Sequence, residues 1–134
     1  MGMDKLRIVF ATDDGETFIE RHFGDAGYFD LYEISPEEAR FIKRFENTVS
    51  QQDAHSADDR KASGIAGLFK RDGVHVLVSK KFGANINRMK TKFVCVLMNE
   101  QKIPDSLKTI QHHYKRIVAE WHEGESRHFL NLKR

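Results

Sequence analysis

The chain has 134 residues, 40% of them hydrophobic and 31% charged, with a formal net charge of +2. That length can bury a core without disulfides or a structural metal, and the balance excludes a disordered or fibrous protein. A single cysteine, Cys95, excludes an intramolecular disulfide and any four-thiolate zinc or iron–sulfur site within one chain.

The modest net charge conceals an asymmetry. Residues 1–59 carry six Lys/Arg against fourteen Asp/Glu, and residues 60–134 carry sixteen against six. This suits either an anionic ligand or partner for the second half, or two oppositely charged halves packed together. Apolar runs such as Phe93 to Met98 are far too short to span a membrane. The chain enters a strand-like segment almost at once, without the apolar stretch of a signal peptide. The expectation is therefore a cytoplasmic protein with no membrane and no nucleic-acid partner.

Leu6 to Ala11 reads as a largely buried strand, ended by the turn chemistry of Asp13-Asp14-Gly15. Glu16 to Gly27 lacks sustained periodicity, and Gly24 and Gly27 suggest a shaped loop. Tyr28 to Ile34 is aromatic-rich and strand-like. Ser35-Pro36-Glu37-Glu38 then turns the chain. Ser-Pro-Glu-Glu is also a good helix start. The alternation of Phe41, Lys43 and Phe45 nonetheless favours a hairpin partner strand over Arg40 to Glu46.

Asn47 to His55 is polar and loop-like. Ser56 sits at an N-cap position, with Asp58 and Asp59 in the first turn to suit the helix dipole. Ala62, Ile65, Ala66 and Phe69 follow at helical spacing, and Gly73 falls at the C′ position. Val74 to Val78 is a short apolar run of the kind found in buried parallel strands. Phe82-Gly83-Ala84-Asn85 leads into a short helix to about Met89, and Lys92 to Met98 gives a further strand. Pro104 and Asp105 open a last helix whose stripe is Leu107, Ile110, Tyr114, Ile117 and Trp121, closed by Gly124. The segment after Gly124 has no period and reads as a loosely held tail. Together these predict one α/β domain with a mixed sheet over the whole chain, its core spanning about residues 6–124.

Two segments carry a family resemblance. The first is Ile8-Val9-Phe10-Ala11-Thr12-Asp13-Asp14-Gly15 with His22-Phe23-Gly24-Asp25-Ala26-Gly27-Tyr28-Phe29-Asp30-Leu31-Tyr32-Glu33-Ile34. The second is Gly64-Ile65-Ala66-Gly67-Leu68-Phe69-Lys70-Arg71-Asp72-Gly73-Val74-His75-Val76-Leu77-Val78 with Phe82-Gly83. In order and spacing they resemble the dinitrogenase iron–molybdenum cofactor family, the NifX-like cluster carriers, from about Leu6 to about Ile117. The resemblance implies a ribonuclease H-like fold. It also implies a non-catalytic role in binding or carrying iron–molybdenum cofactor or a related metal–sulfur cluster during nitrogenase maturation. Nitrogenase or its assembly proteins are then the expected partners. The chain departs from the family pattern at Asp72-Gly73, where many members place a cysteine before the glycine, and at Lys92-Phe93, where many have Gly-Ile.

With the resemblance, His22 stands out as the metal ligand: a neutral imidazole suits soft and borderline metals, and glycines let a bulky ligand approach the backbone. Phe23 and Gly24 share its loop, and His55, near Asp53, is a candidate second contact. Lys80 and Lys81 precede the Gly83 turn, where cations and backbone N–H groups would favour the anionic periphery of a cluster. A solvated basic face accounts for the same lysines. His75 lies within a buried strand pattern and reads as structural, and Cys95 as buried and inert. A magnesium-dependent nuclease would need carboxylate partners for Asp13 and Asp14, which read more simply as a turn. A cofactor-free protein-interaction module on the same fold is the remaining alternative.

Overall fold

The computed structural model describes residues 4–47, 57–84 and 86–132, with the backbone alone over 57–63. His55, the Ser56 cap, the side chains of Asp58, Asp59 and Ala62, and Asn85 lie outside the described residues.

Among the described residues six strands form one mixed sheet: β1 (Leu6–Thr12), β2 (Tyr28–Ile34), β3 (Ala39–Glu46), β4 (Val76–Ser79), β5 (Val94–Leu97) and β6 (Leu130–Asn131), in the order β3-β2-β1-β4-β5-β6. β1, β2 and β3 run antiparallel in succession, whereas β1, β4, β5 and β6 are mutually parallel. The helices are α1 (Ala57–Arg71), α2 (Ile86–Met89), α3 (Ile103–His112) and α4 (Tyr114–Trp121).

Strand alternation divides the core into two layers. Leu6, Ile8 and Phe10 of β1 face one cluster with Ile103, Ile110, Tyr114 and Ile117 of α3 and α4. Val9 and Ala11 face the other, with Ile65, Ala66 and Phe69 of α1 and Met89 of α2. The result is a helix–sheet–helix sandwich. The two charge-asymmetric halves interleave within it, as the ion pairs Lys43–Asp72 (3.2 Å) and Lys80–Glu20 (2.5 Å) show.

α1 ends as its sequence signals. Gly73, at φ +70°, donates to the Lys70 carbonyl (3.1 Å) and Val74 donates to that of Phe69 (3.0 Å), the paired bonds of a Schellman turn.

Three expectations are corrected. The predicted Phe41/Lys43/Phe45 face of β3 is broken by a bulge: Leu31 pairs with Lys43 but Tyr32 pairs with Phe41, leaving Ile42 as the extra residue. Phe45 is therefore buried against α1 while Phe41 sits on the opposite face, edge-on to Tyr32 at 5.6 Å. The single predicted last helix is two, because His113 leaves helical geometry (φ −102°, ψ 18°) with no proline or glycine to announce it. The apolar stripe continues across the break.

The loose tail is the third. Leu130 and Leu132 are buried, the Leu132 N–H donates to the Leu97 carbonyl (2.9 Å), and β6 extends the sheet. Its anchor is Arg127, also buried, which donates to the carbonyls of Trp121 and Thr91 (3.0 Å each) and lies 4.3 Å over the Trp121 ring. A two-residue strand held by an arginine has no periodicity to detect.

Candidate functional site

The parallel strands β1 and β4 are neighbours whose chains leave in opposite directions, β1 toward β2 and β4 toward β5. In open α/β sheets the carboxyl ends of such a strand pair form a crevice suited to ligands. Both predicted loops lie there, Arg21–Gly27 after β1 and Lys80–Gly83 after β4.

The turn leaving β1 is built from its own side chains. The Thr12 hydroxyl donates to the Thr17 carbonyl (2.6 Å) and accepts from the Gly15 N–H (2.9 Å). The Asp14 carboxylate accepts from the N–H groups of Glu16 and Thr17 and from the Thr17 hydroxyl, all at 2.8 Å. The backbone bonds from Thr17 and Glu16 hold its pKa down, to about 2. Gly15, at φ +83°, lies where the Arg44 guanidinium fills the space of any side chain. Arg44 is in turn held by the buried Asp30 carboxylate (2.8 and 3.3 Å).

Asp13 does a different job: it pairs with Arg21 (2.7 Å) and accepts from the Gly27 N–H (2.8 Å), closing the loop between them. Asn47, at the end of β3, closes it from the other side by donating to the carbonyls of Gly24 (2.9 Å) and Ala26 (2.8 Å). Both acidic residues are thus committed to shaping the turn and the loop.

Within that frame Phe23–Asp25 forms a single 3-10 turn. Phe23 is buried against Phe29 (4.9 Å between ring centres) and Phe69 (6.2 Å), and stacks on Phe82 at 5.2 Å with an 18° tilt. The Phe23 N–H donates to the Lys81 carbonyl (2.9 Å), so backbone and rings together join the two loops. His22, just outside this lock, is exposed. Its imidazole rests on Gly83: a methyl group there would lie 3.3 Å from His22 Nδ1. Gly24 faces open space, with nothing within 4 Å of where a side chain would begin.

His22, Phe23, Gly24, Lys81 and Gly83 are therefore brought together. Lys80 is brought close but is occupied. Its Nζ contacts Glu20 Oε2 and Gln101 Oε1, both at 2.5 Å, and its side chain is only 15% exposed. It works as a strut between β4 and the segment after β1. The Lys80 hydrogen bond holds Glu20 in turn below the usual carboxylate range. The Lys81 side chain is exposed.

Sequence reasoning missed the loop clasps Asp13–Arg21 and Asn47, whose partners lie far along the chain or in the backbone. It also missed the pairing of Phe23 with Phe82. The signal for that was present: both loops carry Phe-Gly, in His22-Phe23-Gly24 and in Lys81-Phe82-Gly83.

Among the described residues no three His, Cys, Asp or Glu side chains are grouped to hold an ion. A bare divalent cation would need such a cage.

Residues 4–113 match the family described as dinitrogenase iron-molybdenum cofactor. The chain belongs to that family. A crystal structure of a Methanocaldococcus jannaschii protein, provisionally named a dinitrogenase, superposes with a TM-score of 0.59 at 15% identity, covering 82% of this chain and 91% of the other. An NMR structure of the same protein gives 0.55 at 13% identity, covering 85% and 93%. At such identities the likeness is one of fold. No curated protein matches the chain significantly. The family match spans both Phe-Gly loops and stops before α4 and β6, so the Arg127 anchor lies outside it.

Proposed function

We propose that this protein is a non-catalytic, cytoplasmic carrier of iron–molybdenum cofactor or a related metal–sulfur cluster. It would hand the cluster to nitrogenase or to nitrogenase assembly proteins. The observation that carries the reading is an exposed imidazole, His22, on a glycine shelf between two loops locked together at the carboxyl ends of β1 and β4. His22 is the metal ligand in this reading. Gly24 leaves room for a bulky guest, and Lys81 lies beside an anionic cluster's periphery. Lys80 contributes by fixing the loop rather than by contact. Membership of the family supports the choice of cargo.

A carrier without chemistry of its own also agrees with what the reactive groups do. Cys95 is buried, and burial pushes its thiol up to about 12, which leaves it protonated and unreactive. Asp13 and Asp14 are spent on the turn and its clasp. The strand order, with an antiparallel trio extended by parallel strands, supports the ribonuclease H-like assignment of the fold. Among the described residues no helix is long and apolar enough to cross a membrane.

The test is anoxic titration with isolated iron–molybdenum cofactor, followed by gel filtration and metal analysis of the protein peak. Wild type should co-elute with molybdenum and iron, and His22→Ala should not. No loading by wild type would refute the carrier reading and turn attention to protein partners, and equal loading by the two would remove His22 as the ligand.

A further inference from the structure

The geometry points to Gly83 as the residue that positions His22. The side chain it lacks makes a seat for the Nδ1 edge of the imidazole and leaves Nε2 as the nitrogen presented to a metal. Use of that nitrogen rests on the carrier reading; the seating does not.

A Cβ at position 83 would lie 3.3 Å from His22 Nδ1, 3.6 Å from Cγ and 3.8 Å from Cβ. All three contacts fall on one edge of the ring and its stem. The nearest is tighter than ordinary carbon–nitrogen packing, so a methyl group would displace the imidazole by a few tenths of an ångström. The backbone gives no other reason for glycine here. Gly83 is absent from the positive-φ glycines, which are Gly15, Gly73 and Gly124. Its carbonyl accepts from the Ile86 N–H (3.1 Å), a bond that alanine would keep. The requirement for glycine is therefore steric and directed at His22.

With the loops held apart at a set distance, the His22 side chain is what must give way. The Phe23 N–H bond to Lys81 and the stacking of Phe23 on Phe82 fix the separation of the two loops immediately beside the contact. Gly24 is the internal contrast, because a side chain there would meet nothing within 4 Å. One Phe-Gly glycine opens the shelf and the other sets the ligand. A metal-binding imidazole is commonly oriented through its second nitrogen, and loss of a hydrogen-bonded support there weakens metal binding by roughly ten- to a hundredfold. The Gly83 seat acts on the same orientation by shape.

The experiment uses the full chain in three arms. In the metal-free protein, nuclear Overhauser contacts should run from the Gly83 Hα protons to His22 Hβ and Hε1 rather than Hδ2. Gly83→Ala should shift the His22 ring resonances and change those contacts while thermal unfolding stays put; Gly24→Ala should leave them unchanged. Pentaammineruthenium(II), a metal probe with one open position, should attach to Nε2 of His22 in the wild type. Isolated iron–molybdenum cofactor should bind Gly83→Ala roughly ten- to a hundredfold more weakly than wild type.

An unmoved His22 ring in Gly83→Ala, or ruthenium on Nδ1, overturns the assignment. A displaced ring with undiminished cofactor binding overturns Gly83's part in presenting the metal while leaving the carrier reading intact. If wild type takes up no cofactor, the carrier reading fails, and the ring and ruthenium measurements still decide the seating.

Discussion

His22 and His75 lie at opposite ends of the same strand pair and do opposite things. His75 immediately precedes β4 at its amino end. Its Nδ1 accepts from the Arg7 N–H of β1 (2.9 Å), continuing the ladder with a side chain, and its ring meets Trp121 edge-on at 4.8 Å. Burial, and then the Arg7 charge, hold its pKa below the usual histidine value. His22, at the carboxyl end, is exposed and has a glycine at its back. The first imidazole is spent on the fold, and the second is held in place by the fold without being consumed by it. Exposure of a rigidly supported polar ring is a better mark of function than its residue type.

The contrast can be attacked through the stability of the two ends. The largest effect should come from Phe23→Ala, which empties a buried site shared with Phe29, Phe69 and Phe82. A loss of about 3–5 kcal/mol is expected in urea unfolding. A change under 1 kcal/mol would mean that the His22 loop is not tied to the core. His75→Ala leaves the half-buried Arg7 N–H without its side-chain acceptor and removes the contact with Trp121, for about 1–3 kcal/mol. His22→Ala should stay within roughly 0.5 kcal/mol of wild type, and equal costs at the two positions would erase the distinction.

Asn47→Ala comes next, with about 1–2 kcal/mol for two lost hydrogen bonds to the loop carbonyls. Amide exchange should rise locally, at the Gly24–Gly27 turn, and unchanged exchange there would remove Asn47 from the clasp.

The smallest effect is in pH. Because the folded pKa of His75 is depressed below its ordinary 6.5, the unfolded chain binds the proton more readily. The stability His75 contributes is complete above pH 6.5 and declines as pH falls through the window between that value and the lower folded one. His75→Gln should flatten this part of the stability profile, and an unchanged profile would take His75 out of the pH dependence.

Much of this was legible in the sequence where the information is local. The apolar run of β1, the helical spacing and Gly73 stop of α1, and the two glycine loops each announce themselves within a few residues. The bulge at Ile42 and the strand held by Arg127 depend on partners 9 to 36 positions away, and the break at His113 carries no proline or glycine signal. No window of local pattern contains them. The candidate site divides in the same way. His22, Phe23, Gly24, Lys81 and Gly83 were visible as two separate loops. That Lys80 would be taken by Glu20, 60 positions away, was not.

The most direct measurement is a side-by-side anoxic titration of His22→Ala and His75→Ala with isolated iron–molybdenum cofactor, each preceded by a thermal melt. The account predicts that His22→Ala melts like wild type and takes up no cofactor, while His75→Ala melts earlier and, below its melt, loads normally. Normal loading of His22→Ala, or equal loss in both variants, would contradict it.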